Sequence, residues 1–342
     1  MNNDELIHRL DRFMPTFGDL FDELYQQLLQ GEMPGLGMIW AMIIDTVKEN
    51  ISDMSQILIS LLIIGIISAV LHQCGNIFGN RQISELAFYF TYLYGVILLL
   101  QVFYVMAETA VVVVENIISF TQILIPAFYI AVAMCYASVT AGAFYQLNIL
   151  LLYAVEIIFP EVVIPMITCY VYISVISGST EDDRFSGMIE LFKKGVSLLI
   201  KICITTVTGV GVMKSLIHPV ADSVSYNMLQ KTVAAIPGIG DVTDSLSKMF
   251  LGSAILIKNS IGITSLIMIL LLVCAPLTKI FIIACTIKIS GAFIGLFGDK
   301  RMTKCIERVS EGGFMLLKVT LAIVMIFFIV IALVTAVAGK GF

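Results

Sequence analysis

Along this chain apolar residues gather in long runs parted by short polar breaks, at roughly 54–74, 86–106, 109–137, 143–159, 162–178, 195–216, 261–297 and 312–338. A helix needs about 20 residues, and about 17 at the least, to cross the hydrocarbon of a bilayer. The pattern therefore predicts an all-α, polytopic helical membrane protein with about eight hydrophobic segments. Only Pro160 and Glu161 separate 143–159 from 162–178. Two short crossings joined by a tight hairpin are expected there, with a re-entrant pair as the alternative. The run at 261–297 is too long for one straight crossing and contains Pro276, so it is read as one bent crossing.

Two stretches carry a different pattern. Residues 1–53 read as short extracytoplasmic and interfacial helices. Phe17, Phe21, Leu24 and Leu28 make one apolar stripe, and Leu36, Ile39, Trp40, Ile43, Val47 and Ile51 make another. A tryptophan on such a face fits a helix lying in the interface plane. Residues 217–260, between the sixth and seventh runs, read as an amphipathic hairpin that is extracytoplasmic or re-entrant. Its first arm places Val220, Val224, Met228 and Ile236 on a stripe with Asp222 off it. Its second lines up Val242, Leu246, Met249, Phe250 and Ile257, with Asp244 and Lys248 spaced as an i,i+4 ion pair. Pro237 and Gly238 end one arm, and Gly240 with Asp241 opens the other. Such arms either float in the outer interface or fold back to line a polar space. The chain thus divides into 1–53, a first membrane bundle at 54–216, the hairpin at 217–260, and C-terminal membrane helices at 261–342.

Composition strengthens the membrane reading. Of 342 residues, 59% are apolar and 13% charged, with a net charge of −5, against about 45–50% and about 25% in soluble domains. The break at 179–194 carries Arg184, Lys193 and Lys194, and the break at 298–311 carries Lys300, Arg301, Lys304 and Arg308. Basic loops stay on the cytoplasmic side, which assigns both breaks there and the N-terminal region, 217–260 and the C-terminus to the outside. Lys201 and Lys318 each lie about six residues, or about 9 Å, into a run that starts at one of these breaks. A lysine stem snorkels most of that distance, so both read as interface anchors.

Four charges fall deeper: Glu115, Glu156, Lys279 and Lys288. A lysine at mid-helix costs about 2.5–3.5 kcal/mol on insertion scales, so none of them should face lipid at depth. Either the Pro276 bend and the Pro160 turn bring them to water, or they face a wet cavity or a neighbouring subunit. "GAFIG" sets Gly291 and Gly295 four apart, a spacing that lets another helix backbone approach closely.

Little points to catalysis. None of the seven cysteines pair as C-x-x-C, the three histidines are scattered, and no H-E-x-x-H or G-x-S-x-G occurs. "GVGVMKS" (209–215) has Met213 where a phosphate loop needs glycine before lysine. No enzyme, cofactor or metal is expected, and without a basic stripe interleaved with aromatics, no nucleic acid. "MNNDELIHRL" lacks a basic n-region and apolar core, so no signal peptide is expected.

Several of these segments, taken in order, resemble the stage III sporulation protein AE family of endospore formers. The likeness rests on "ADSV" with Asp222, "IPGIGD" at the elbow, "LIKNSIG" with Lys258, Asn259 and Gly262, "APLTKI" with Pro276 and Lys279, Lys288, and the pair Gly298–Asp299. Weaker similarity covers "HQCGNIFGNRQISELAFY" at 72–89. Members commonly begin with a secretion signal, which leaves open how this N-terminus is exported. The resemblance implies a multipass subunit of the transenvelope channel complex linking mother cell and engulfed forespore, placed in the mother-cell membrane around the forespore and required for late forespore development. Implied partners are a cytoplasmic ATPase, ring-forming extracytoplasmic proteins, a forespore membrane partner and further copies of the chain. The alternative is a stand-alone secondary transporter with Lys279, Lys288 and Glu115 near a midplane site.

Overall fold

In the computed structural model the described residues are 81–135, 139–179, 185–233, 240–297 and 300–337, together with 44, 59–60, 62–67 and 70. Most of them lie in six α-helices: α1 Arg81–Cys135, α2 Val139–Ile158, α3 Ile164–Ser179, α4 Ser186–Val233, α5 Gly240–Phe297 and α6 Lys300–Val337; 44, 59–60, 62–67 and 70 are helical as well. The five residues Phe159–Val163 between α2 and α3 form a π-helical turn. Every described element is helical. Among the described residues, four stretches are long and apolar enough to cross a membrane: Tyr89–Leu124, Ile149–Gly178, Gly262–Leu296 and Arg301–Ile331.

Among the described residues the helices are longer than the hydrophobic runs predict. The runs at 86–106 and 109–137 are not two elements, because α1 passes through the polar break between them. Ala107 and Glu108 are good helix formers, and the Thr109 hydroxyl donates back to the Val105 carbonyl at 2.7 Å, so nothing there stops the helix. The hairpin expected at Pro160–Glu161 is likewise absent. Ile158 and Ile164 both keep right-handed helical backbone, and the Ile164 N–H bonds to the Phe159 carbonyl, one residue beyond the α spacing. Proline cannot donate in an α-ladder, and a widened turn accommodates it without reversing the chain.

The break at 298–311 also departs from expectation. Its residues from Lys300 onward are the first three turns of α6, and Met302, Cys305, Ile306, Val309 and Ser310 are buried. The run at 261–297 is a single helix, as expected, with Pro276 inside it. The N-terminal helices expected over 1–53 and most of the 54–74 run lie outside the described residues.

Helix α6 is the axis of the bundle: α1, α3, α4 and α5 all pack on it, while among the described residues α4 and α5 make no extensive contact with each other. Glycines set the approach. A β-carbon on Gly291 would stand 2.9 Å from Ile306 Cγ2, and one on Gly295 3.1 Å from Thr303 Cγ2. One on Gly313 would meet Met106 Sδ at 2.9 Å and Ala284 Cβ at 3.1 Å, and one on Gly312 would collide with Val171 Cγ2. In lipid, where tails are as apolar as leucine, such close packing and interhelical hydrogen bonds hold helices together. Two buried hydroxyls supply such bonds: Tyr92 donates to the Val175 carbonyl at 2.8 Å, and Ser310 to the Ala284 carbonyl at 3.0 Å.

The same contacts fix direction. Gly291 with Ile306 and Ala284 with Gly313 make α5 and α6 antiparallel about residues 298–299. Phe120 with Phe327 (centroids 6.3 Å apart) and Met106 with Gly313 make α1 parallel to α6. Gly178 lies against Cys305, so the connections at 180–185 and 298–299 share one end of the bundle.

Candidate functional site

The most polar point between helices is centred on Glu311, eleven residues or about 16 Å into α6. Its Oε2 accepts the Tyr170 hydroxyl of α3 at 2.6 Å, and its Oε1 pairs with the Lys193 ammonium of α4. Tyr170 is buried to 1% exposure, whereas the side chains of Glu311 and Lys193 are 39% and 53% exposed. Three helices therefore meet on one carboxylate that opens to the exterior on one side. Ser310 and the Gly312–Gly313 pair flank it and let α3, α1 and α5 close round the same turn of α6.

Local sequence explains the placement. Helix α6 shows an exposed or half-exposed stripe at 304, 307, 311, 314, 318, 321 and 325, alternating steps of three and four, and buries most of its other described residues. This stripe lies where α4 and α5 leave a gap. Phe314 sits on it, with the Lys288 ammonium 5.5 Å from its ring centroid and the Phe281 ring at 6.5 Å. A helical side chain leans toward its own N-terminus, so Lys288 points away from the 298–299 turn and toward this level. The arrangement holds donors, an acceptor and cations, but no nucleophile beside a base. Chemically it is a latch. Among the described residues no cluster of three or more His, Cys, Asp or Glu could hold a metal.

The deep charges expected to act together are kept apart. Glu115 is exposed on α1, and no ion pair joins it to Lys279 or Lys288 among the described residues. Glu156 is half-buried and accepts Gln122 Nε2 at 3.2 Å, which ties α2 to α1. Lys279 and Pro276 are half-buried and Gly262 is buried. Asp222, Asp241, Asp244, Lys248, Lys258 and Asn259 fall within α4 and α5, with side chains outside the described residues; Gly240 is the first residue of α5. Pro237, Gly238, Gly298 and Asp299 also lie outside the described residues. The Glu311 node was absent from the sequence-based expectations. Its one local signal is "SEGG" at 310–313, a carboxylate beside two glycines at the edge of an apolar run.

Outside the membrane-crossing segments, Glu190 and Lys194 pair across one turn of α4 at 2.9 Å. That hydrogen bond, with the ammonium charge behind it, holds the Glu190 carboxyl below the usual carboxylate range.

Set beside known proteins, residues 20–338 match the family model described as Stage III sporulation protein AE. A curated relative, Stage III sporulation protein AE of Bacillus subtilis (strain 168), is 22% identical over 286 residues, covering 83% of this chain and 71% of the relative. No solved structure matches.

Proposed function

From the stage III sporulation protein AE family, to which this chain belongs, we propose that it acts as an integral membrane subunit of the sporulation transenvelope channel complex. In this reading it sits in the mother-cell membrane around the engulfed forespore and is needed for late forespore development. A cytoplasmic ATPase engages the end of the bundle that carries Lys300, Arg301, Lys304 and Arg308 of 298–311. Ring-forming extracytoplasmic proteins and a forespore membrane partner engage the opposite end, around 222–257. Several copies assemble in the complex.

The observation that carries the proposal is the family match over nearly the whole chain, joined to helices that outrun a bilayer at both ends. Helix α5 has a charge-free stretch at 259–278, between Lys258 and Lys279, about 30 Å long and so of hydrocarbon thickness. What precedes it, 240–257, carries the second amphipathic arm, and what precedes 234–239 in α4 carries the first. Both arms then emerge on the side opposite the basic end.

Copurification from sporulating cells tests this. The full-length protein is expected to bring down the ring-forming proteins, and a chain lacking 219–259 is expected to lose them along with spore formation. If that deletion left both unchanged, the docking role would be abandoned.

A further inference from the structure

Glu108 and Lys318 stand at nearly one height on opposite sides of the bundle. Helices α1 and α6 are parallel, and the same 207 positions separate Met106 from Gly313 and Phe120 from Phe327, so the two keep step along their length. Glu108 is two residues beyond Met106 and Lys318 five beyond Gly313. Glu108 therefore falls about three residues, or about 4.5 Å, short of the level of Lys318, and Glu115 about four residues, or about 6 Å, past it. Each residue of a helix turns the chain by about 100°, so side chains nine apart point opposite ways. Glu108 is nine from Leu99 and nine from Ile117, both buried, and Gln101, Glu108 and Glu115, spaced by seven, are all exposed. On α6, Lys318 is exposed and is nine residues before Phe327, the ring that faces α1. The carboxylates thus point away from α6, and the ammonium points away from α1.

Both sets of charges lie deep. Glu108 is near the middle of the crossing stretch Tyr89–Leu124, and Lys318 near the middle of Arg301–Ile331. Among the described residues no ion pair joins Glu108, Glu115 or Lys318 to an opposite charge, and the one carboxylate near Lys318 on its stripe, Glu311, is held by Tyr170 and Lys193. Lys288, whose ammonium lies over Phe314 of the same stripe, adds a second cation on that side. Ionisable groups at such depth face protein or water and pair with one another, because lipid tails cannot solvate them. The surfaces around them are otherwise apolar and open, with Val105 and Val112 exposed on α1 and Leu321 and Met325 exposed on α6. Copies side by side in one bilayer share a common height. An acidic face on one flank and a basic face on the other, at matching heights, are therefore complementary between copies.

We propose that the Glu108–Glu115 face of α1 docks on a second copy of this chain, in the opening that α4 and α5 leave over α6. Glu108 and Glu115 then bracket Lys318 in height, with Lys288 beside it. The contact is head-to-tail: every copy offers α1 on one flank and the α6 stripe on the other, so association continues past a dimer and closes as a ring where the rotation allows. The proposal rests on the reading that several copies assemble. It uses surfaces of this chain alone, so it can fail while the docking at 219–259 stands.

Oxidative cross-linking in membranes tests it, with the full-length chain in a cysteine-free background and all charges in place. V112C and L321C carry the reporters. Within one chain the two positions point away from each other, and a disulfide needs Cα atoms within about 7 Å, so any product joins two copies. Copies bearing V112C, co-expressed with copies bearing L321C and oxidised with copper phenanthroline, are expected to give a covalent dimer, and either alone none. One chain bearing both is expected to give a ladder beyond the dimer. Adding E108K/E115K to the V112C copy is expected to abolish the product, and adding K288E/K318E to the L321C copy as well to restore it. If the reversed variants do not fold, E108Q/E115Q carries the comparison, with loss of product expected. No dimer from the mixture, with both cysteines reactive toward N-ethylmaleimide, would overturn the proposal. So would an equal dimer from V112C alone, which would pair α1 with α1, or a product unchanged by the loss of both glutamates.

Discussion

The hydroxyl of Tyr170 reaches Glu311 across 2.6 Å of space and 141 positions of sequence. The phenol is buried and its acceptor is a carboxylate shared with Lys193, so α3, α4 and α6 are held at one height by a single side chain. A hydrogen bond to a charged group contributes about 1.5–3 kcal/mol, whereas a half-exposed ion pair contributes about 0–1 kcal/mol. Tyr170→Phe is therefore expected to lower the melting temperature in detergent more than Lys193→Ala. A larger loss from Lys193→Ala would show that the ion pair dominates the latch.

Glycine substitutions should divide by what a β-carbon meets. Gly312→Ala drives a methyl into Val171 Cγ2 with Phe103 Cε2 close by, and overpacking of this kind costs about 1–3 kcal/mol. At Gly209 nothing lies within 4 Å, so alanine there is expected to stabilise by about 0.5–1 kcal/mol through helix propensity. Thermal unfolding of the two variants side by side decides it, and a destabilised Gly209→Ala would count against the open setting of that face.

Glu190 offers a titration with a defined sign. Its carboxyl is held low by Lys194, so the interaction is fully present above the unfolded-state carboxylate range and is lost as pH falls through the lower folded-state value. NMR of side-chain-labelled glutamate is expected to show this group protonating below its ordinary range. Lys194→Gln should restore the ordinary midpoint.

Topology gives a further prediction. In a cysteine-free background, Lys304→Cys is expected to react with a membrane-impermeant maleimide only from the cytosolic face and Asp244→Cys only from the opposite face. Modification of both from one face would exclude the crossing between them.

Most of the architecture was legible from hydropathy because burial in lipid demands long uninterrupted apolar helices, and these are conspicuous in composition. The shared end of the two polar breaks and the close approach at Gly291 and Gly295 followed from charge bias and spacing. Element boundaries were not legible, since a hydropathy dip is not a helix stop. Ala107–Thr109 contains no glycine or proline, and Pro160 is absorbed by a π turn. Charge likewise misplaced the start of α6: Lys300 to Glu311 read as a linker because half of its residues face outward, while Cys305, Ile306 and Val309 face in. Glu311 could not be found from one sequence, because its partners lie on helices whose facing is set by tertiary packing.

An unbroken helix from Gly240 to Phe297 has a contour of about 87 Å, close to three times the depth of oil a bilayer offers. Most of it must therefore be wetted or gripped by something other than lipid tails. Its hydrogen-bond ladder is interrupted at only one amide, that of Pro276, so the helix can act as a push-rod. A displacement near Phe297 is expected to reach Gly240 through the rod itself.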